Sequence, residues 1–452
     1  MSLELTAKYD QDWTGDHVGR SLAVVRPRNV EEVAAVVRWC GANNVPAVPQ
    51  GGNTGLVAAA TPSGDGRELI ISLELMNSIR SIDPADGVAV VEAGCVLADL
   101  KAAVEEKGAF FPLSIGSQGS CQIGGTISTN AGGINVVRYG MARSLVMGLE
   151  VVLPDGRIFR DLRGLHKNNT GYDLKQMFIG AEGTLGIVTA AAVKIQPKPS
   201  QCETMFLATA SIEDTIRLFH RIRQDAGDLI SAFELMLGTS IQRVCETEQG
   251  IRNPLPQLYP AYAIVEVSAT GGPPLRAWLE SYLAQHLEEG QLLDGVIAES
   301  GEQVANIWNL REGIVESQAR LGVYLRTDVS TPISAVADFI AKGTELVGRL
   351  VPGAQVHPYG HVGDGNLHFN VLRPLDMTPS DFQPHIHRIE AALFELVDKY
   401  DGSISAEHGI GIAKRSAFRA RVDSVQRDLM TKLKNVIDPQ GLMSPGRIFS
   451  KE

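Results

Sequence analysis

Three glycine-dense segments fall within the first 190 residues, and they restrict the possible folds more than any other feature of the chain. The first, Pro49-Gln50-Gly51-Gly52-Asn53-Thr54-Gly55-Leu56, follows a short run, Val45-Pro46-Ala47-Val48, that reads as a strand. The second is Ser117-Gln118-Gly119-Ser120-Cys121-Gln122-Ile123-Gly124-Gly125-Thr126, continuing through Thr129 into Asn130-Ala131-Gly132-Gly133. The third, Gly180-Ala181-Glu182-Gly183-Thr184-Leu185-Gly186-Ile187-Val188-Thr189, is a glycine turn running into a strand. Backbone free of side chains lets consecutive amides point at one spot, which makes an anion nest suited to a pyrophosphate. One such loop reads equally well as an ordinary tight turn; three together favour a dinucleotide cradle. No G-x-G-x-x-G lies between a strand and a helix, and no Walker A sequence is present, so the cradle is not of the Rossmann kind. The nearest match, Gly409-Ile410-Gly411 followed by Lys414, lacks the third glycine.

Around these loops the pattern is α+β. Asn29 with Glu32 forms a capping box, and Val33, Val36, Val37 and Cys40 recur at helical spacing until Asn43–Asn44. Strands are expected at Leu69–Leu73, Val88–Glu92 and Leu149–Leu153, the last closed by Pro154-Asp155-Gly156. A proline-rich joint, Gln196-Pro197-Lys198-Pro199-Ser200, marks a boundary after which glycine thins out. Beyond it, helical patterns at Thr215–Asp225 and Leu275–His286 alternate with strands such as Ala261–Val267, which suggests an antiparallel sheet covered by helices. A further helix is expected over Ile386–Tyr400, and the final 50 residues read as mostly helical with a stop at Asp438–Pro439. The expected domains are 1–198, 199–400 and 401–452.

In His-Val-Gly-Asp-Gly-Asn-Leu-His-Phe-Asn, His361 and His368 flank Asp364–Gly365, a dipeptide that favours a two-residue hairpin turn. A turn centred there sets His361 opposite His368, with Cβ atoms ~4.5–5.5 Å apart. It also puts Leu367, Phe369 and Val371 on one face and His368 and Asn370 on the other. Ala406-Glu407-His408-Gly409 supplies a carboxylate and another imidazole. Two histidines and one carboxylate make an open site for a divalent metal. His385 and His387 sit in a polar stretch near a helix start and read as surface residues, while His357 reads as structural. Arg311 lies on the apolar helical stripe Val304, Ile307/Trp308, Ile314/Val315, where an unpaired guanidinium is costly. It needs an anion, either from the protein or from a bound carboxylate.

The 452 residues carry a net charge of −11 without a basic run, which speaks against nucleic acid as a partner. The five cysteines are scattered and never in C-x-x-C spacing, which argues for reduced thiols in a cytoplasmic setting and against an iron–sulfur cluster. No targeting peptide or transmembrane run is expected.

The three glycine segments, in this order, resemble the FAD-binding domain of the vanillyl-alcohol-oxidase/p-cresol-methylhydroxylase superfamily. End to end, the chain resembles the branch of FAD-linked 2-hydroxy-acid dehydrogenases, which holds D-lactate dehydrogenase, the glycolate oxidase flavin subunit and D-2-hydroxyglutarate dehydrogenase. The most specific matches are Glu182–Thr189 and His361–Asn370. The resemblance implies an α+β fold with a two-subdomain FAD domain, a cap domain with an antiparallel sheet, and a helical C-terminal segment closing over the flavin. It implies FAD contacts from Pro49, Gly51, Gly52, Asn53, Thr54, Gly55, Leu56, Ser117, Gly119, Ser120, Gly124, Gly125, Thr126, Thr129, Asn130, Gly132, Gly133, Glu182, Gly183, Gly186, Ile187 and Val188. Asn53 stands where relatives with covalent flavin carry histidine, so dissociable FAD is expected.

The same resemblance implies His361, His368 and Glu407 as metal ligands, zinc suiting them best, and His408 as general base. Arg311, Arg326 and Asn370 would contact the substrate. Val315 and Arg326 replace a threonine and a lysine of the D-2-hydroxyglutarate branch, which leaves open whether the substrate is D-2-hydroxyglutarate, D-malate, D-lactate or glycolate. The implied reaction passes a C2 hydride to flavin N5, with an electron-transfer flavoprotein, quinone or cytochrome as acceptor; a homodimer is left open. Two other classes compete. The alkyl-dihydroxyacetonephosphate synthase branch uses FAD in a transferase, but carries consecutive histidines where this chain has His408 alone. A flavin-free metallohydrolase leaves the glycine loops unexplained.

Overall fold

The computed structural model describes residues 3–449, which divide into two compact units. Of these, the first unit takes residues 3–133, 140–198 and 407–449, the second 134–139 and 199–406.

In the first unit, the strands Ala23–Val25 and Ala47–Gln50 both pair in parallel with Leu69–Ser72. The helix Val30–Asn43 carries the chain from the first of these strands to the second, past the position that Leu69–Ser72 fills between them. Asn29 caps this helix by accepting the amide of Glu32 at 2.8 Å, Val33, Ala34, Val37 and Cys40 are buried, and Asn44 ends it in the left-handed region. A second, antiparallel sheet runs in the order Ile79–Asp83, Val88–Glu92, Ile187–Lys194, Val146–Val152, Ile158–Asp161. The C-terminal stretch completes this unit. Ser444 donates to the Ala47 carbonyl at 2.8 Å, and the buried Arg447 pairs with Glu68 at 2.7 Å. Two helices, Arg415–Arg421 and Ser424–Ile437, precede it, the second ending at Asp438.

The second unit holds two antiparallel arrays. One runs Ile230–Leu237, Ala261–Ala269, Gln201–Thr209, Asp294–Ile297 and carries the amphipathic helices Ile212–Ala226 and Leu275–Glu288. The other centres on Asn366–Leu372, with Gln355–Tyr359 on one side and Tyr324–Leu325 and Val329–Ser330 on the other. A bridge between Leu235 and Gly360 ties the two arrays.

The hairpin differs from the expected one. Tyr359, not His361, is the partner of His368, and residues 360–365 form a loop rather than a two-residue turn. Gly360 turns its N–H and C=O to Leu235, so pairing with Asn366–Leu372 stops at Tyr359. Gly365 has φ 84° and packs so tightly that an added Cβ would meet the Thr331 carbonyl at 2.2 Å. The expected sorting of faces holds: Leu367, Phe369 and Val371 are fully buried in the core. Two boundaries also differ. The helix expected from Ile386 starts at Pro379, capped by Thr378, and so contains His385 and His387. Within the second glycine segment, Ile123–Ser128 is a short helix. Among the described residues no helix is long and apolar enough to cross a membrane.

Candidate functional site

Each unit carries part of the expected site. In the first, the glycines sort into two kinds. A Cβ added at Gly52 would lie 2.0 Å from the Ser120 carbonyl, at Gly124 2.7 Å from Ala93 Cβ, and at Gly133 2.1 Å from the Ser114 carbonyl. At Gly183 it would meet Pro49 at 2.5 Å, and at Gly186 Val151 at 2.8 Å. These glycines let the loops pack on one another. Gly51 has ordinary contacts, the nearest 3.5 Å away at Gln122. At Gly55, Gly119 and Gly125 a Cβ would meet nothing within 4 Å, so packing inside the protein does not explain the missing side chains. Open backbone at those three positions suits close approach of a large ligand.

Polar residues around the open backbone are held by local bonds. Thr126 donates to Ile123 O, Thr129 to Gly125 O, and Asn130, at φ 51°, accepts the Arg143 amide at 2.9 Å. Ser117 and Ser120 lie in the loop before the short helix, Gly132 in the loop after it. Asn53, at φ 52°, is turned to the backbone, donating to Gln11 O at 2.7 Å. Thr54 and Leu56 continue that loop in the exposed-to-intermediate range, and Ile187 and Val188 are buried at the start of their strand.

Glu182 does more than line a loop. Its carboxylate accepts the amides of Ile410 and Gly411, both at 2.7 Å, two and three residues beyond His408. Burial raises its pKa above the usual carboxylate range, against the pull of the two amides and Lys414. Glu407 and His408 precede this grip, each partly exposed, with a carboxylate oxygen and a ring nitrogen within 4.8 Å of each other.

In the second unit, the Leu235–Gly360 bridge sets Glu234 directly opposite His361. The Glu234 carboxylate accepts from His361 Nδ1 through one oxygen and from Arg311 Nε, at 2.6 Å, through the other. Burial works against this carboxylate, but His361 and Arg311 overcome it and hold its pKa down at about 2. Of the two anions open to Arg311, the protein supplies at least one. Its guanidinium also lies 4.5 Å from the Tyr359 ring centroid, and the Tyr359 ring is 5.0 Å from that of His368.

Although not cross-strand partners, His361 and His368 have ring centroids only 5.8 Å apart, nearly perpendicular at 78°. A carboxylate oxygen of the buried Asp328 and a ring nitrogen of His368 lie within 4.8 Å. Asn370 is buried and committed: its amide donates to Gln318 at 2.7 Å and its oxygen accepts from Thr327 N. Arg326 is exposed, with its guanidinium 5.6 Å from the Tyr324 ring centroid. His357 stands apart, against Ser240 Oγ at 3.2 Å, and burial with nearby Arg243 lowers its pKa to about 4.

Sequence reasoning missed Glu234 and Asp328. Glu234 had a signal: it is the one charge in Ile-Ser-Ala-Phe-Glu-Leu-Met-Leu, a strand buried on both faces. Asp328, beside a two-residue strand, had none.

Known proteins resemble this chain along its whole length. The family described as FAD binding domain matches residues 21–161, and that described as FAD linked oxidases, C-terminal domain, matches 198–448. The probable mitochondrial D-2-hydroxyglutarate dehydrogenase of Oryza sativa subsp. indica is 39% identical over 97% of this chain and 77% of its own. The D-2-hydroxyglutarate dehydrogenase of Stutzerimonas stutzeri (strain A1501) is 38% identical over 98% of this chain and 94% of its own. Among solved structures, substrate-bound p-cresol methylhydroxylase superposes with a TM-score of 0.76 at 17% identity, covering 99% of this chain and 93% of that one.

Proposed function

We propose, for a chain that belongs to the FAD-linked oxidases and within them to the D-2-hydroxyglutarate dehydrogenase family, the oxidation of a D-2-hydroxy acid to its 2-keto acid. FAD is the cofactor of that family, and the open backbone at Gly55, Gly119 and Gly125 fits a large ligand of this kind. What supports the substrate reading most is the coverage: the Stutzerimonas relative matches 98% of this chain, both units included.

Each half of the reaction then has residues to perform it. Arg311 holds the carboxylate next to the reacting carbon, since a guanidinium fork pairs well with a carboxylate. Arg326, exposed just after the short strand Tyr324–Leu325, takes the distal carboxylate of a dicarboxylic substrate, and Val315, 38% exposed, stands where the D-2-hydroxyglutarate branch has a threonine. Asn370 keeps Gln318 and the strand behind the site in place. His408 accepts the proton of the substrate hydroxyl as general base. FAD, when bound, supplies the acceptor for the C2 hydride. We assign His361, His368 and Glu407 as the ligands of a divalent metal, zinc foremost; such an ion would supply a Lewis acid that acidifies the hydroxyl. Breaking O–H and C2–H leaves the ketone, the proton on His408 and two electrons for an external acceptor. The flavin is dissociable, because Asn53 offers no nucleophilic ring nitrogen.

D-2-hydroxyglutarate is the first substrate to test, with D-malate, D-lactate and glycolate as controls that shorten or remove the distal carboxylate. In the variant His408→Ala, FAD should stay bound while flavin reduction by substrate slows by roughly 10²–10⁴-fold, the usual size of a general-base contribution. Unchanged reduction in that variant would remove His408 from this role.

A further inference from the structure

We propose that Glu234 is the positioning residue of this site, its one carboxylate fixing both the ring of His361 and the guanidinium of Arg311. The inference rests on the reading above, in which His361 is a metal ligand and Arg311 binds the substrate carboxylate.

The geometry is specific. Glu234 is wholly buried, and its placement comes from the backbone: Leu235 and Gly360 exchange N–H···O bonds at 2.9 and 3.2 Å, which makes Glu234 and His361 facing neighbours. One oxygen receives His361 Nδ1 and the other Arg311 Nε, so neither residue turns without breaking a bond to a group that has no water to replace it. Arginine stays charged, so a buried arginine–carboxylate pair is an ion pair, and an ionised carboxylate only accepts. The hydrogen of the His361 contact therefore sits on Nδ1. In a neutral ring the lone pair is then on Nε2, the tautomer a metal ligand requires when a carboxylate orients its other nitrogen. The same carboxylate points the Arg311 fork while Tyr359 supports its flat face. A purely structural ion pair would need Arg311 and Glu234 alone; engaging His361 with the second oxygen joins the two functional groups through one side chain.

The test uses the full chain with FAD bound and two variants, Glu234→Gln and Glu234→Asp. Three quantities are read: FAD per chain from flavin absorbance, zinc per chain at buffered free zinc, and the dissociation constant of 2-oxoglutarate from the flavin difference spectrum. Glu234→Gln should keep its FAD while its zinc dissociation constant rises roughly 10- to 100-fold, the cost typical of losing the partner of a metal-bound histidine. The 2-oxoglutarate constant should rise about tenfold as well, because Arg311 loses the same anchor. Glu234→Asp, which keeps the charge, should recover part of both. Zinc and 2-oxoglutarate binding within twofold of the unsubstituted protein would overturn the proposal. Failure of both variants to fold with FAD would also overturn it, since Glu234 would then serve the fold first. If the unsubstituted protein takes up no zinc, the metal reading fails, and the proposal stands or falls on the 2-oxoglutarate arm alone. An unsubstituted protein that binds neither probe overturns the functional reading and, with it, the inference.

Discussion

Glu182 and Gly411 are joined by a 2.7 Å hydrogen bond in which the glycine amide donates to the carboxylate, and Ile410 donates to the other oxygen at the same distance. A loop of the glycine cradle thereby grips the segment that carries His408. Glutamine at position 182 has one acceptor oxygen instead of two, which leaves one buried amide without a partner at a cost of about 1–3 kcal/mol. We expect Glu182→Gln to lower the melting temperature and, in the protein that retains FAD, to lower kcat while changing KM little. Thermal melts beside steady-state kinetics check this; a variant with native kinetics would show that the grip does not position His408.

Gly125 separates the needs of packing from those of ligand approach. It lies in the helix Ile123–Ser128, and a Cβ there meets nothing within 4 Å beyond its chain neighbours and its own helix backbone. Gly125→Ala should therefore stabilise the FAD-free protein by about 0.5–1 kcal/mol, the usual gain over glycine in a helix. The same methyl should weaken FAD binding. Urea unfolding of the FAD-free protein and flavin titration read the two effects, which should move in opposite directions. Gly52→Ala, whose Cβ would meet Ser120 O at 2.0 Å, should harm both.

Metal removal addresses the histidines. Dialysis against a strong chelator should abolish turnover without releasing the flavin, and zinc should restore it. Chelated protein that turns over at the original rate would exclude a metal role for His361, His368 and Glu407.

His357 makes a pH prediction through burial. Its pKa falls from 6.5 to about 4 in the folded protein, burial being the larger cause and Arg243 the lesser. Between those values the unfolded chain binds a proton that the folded one refuses, so stability falls as pH drops from 6.5 toward 4. The loss from this group is on the order of 2 kcal/mol at pH 5. Replacing it by Gln should flatten the urea midpoint between pH 7 and 5 relative to the unsubstituted protein, and a parallel pair of profiles would contradict the assignment.

How much of this was legible in the sequence depended on whether the signal was local. The capped helix at Asn29, the strand at Val88–Glu92 and the alternation in Leu367, Phe369 and Val371 are set by neighbours in sequence, and all appear where expected. The hairpin register was not, because Gly360 is claimed by Leu235, more than a hundred residues earlier. His361 and His368 were expected to approach as strand partners; they approach instead from a loop and a strand, 5.8 Å apart. The misplaced charge of Arg311 was visible, but its partner Glu234 lay 77 residues away in an apolar strand that offered no pairing rule. Glycine density could not tell Gly52, required by Ser120, from Gly119, which faces open space.

The proposed function requires that this chain carry a flavin which a D-2-hydroxy acid reduces. Purified protein loaded with FAD, kept anaerobic, and mixed in turn with D-2-hydroxyglutarate, D-malate, D-lactate and glycolate gives the most direct answer. The expected result is bleaching of the visible flavin bands by at least one D-2-hydroxy acid, D-2-hydroxyglutarate first, and none by its L-enantiomer. A protein that takes up no FAD, or whose bound flavin stays oxidised with all four acids, would contradict it.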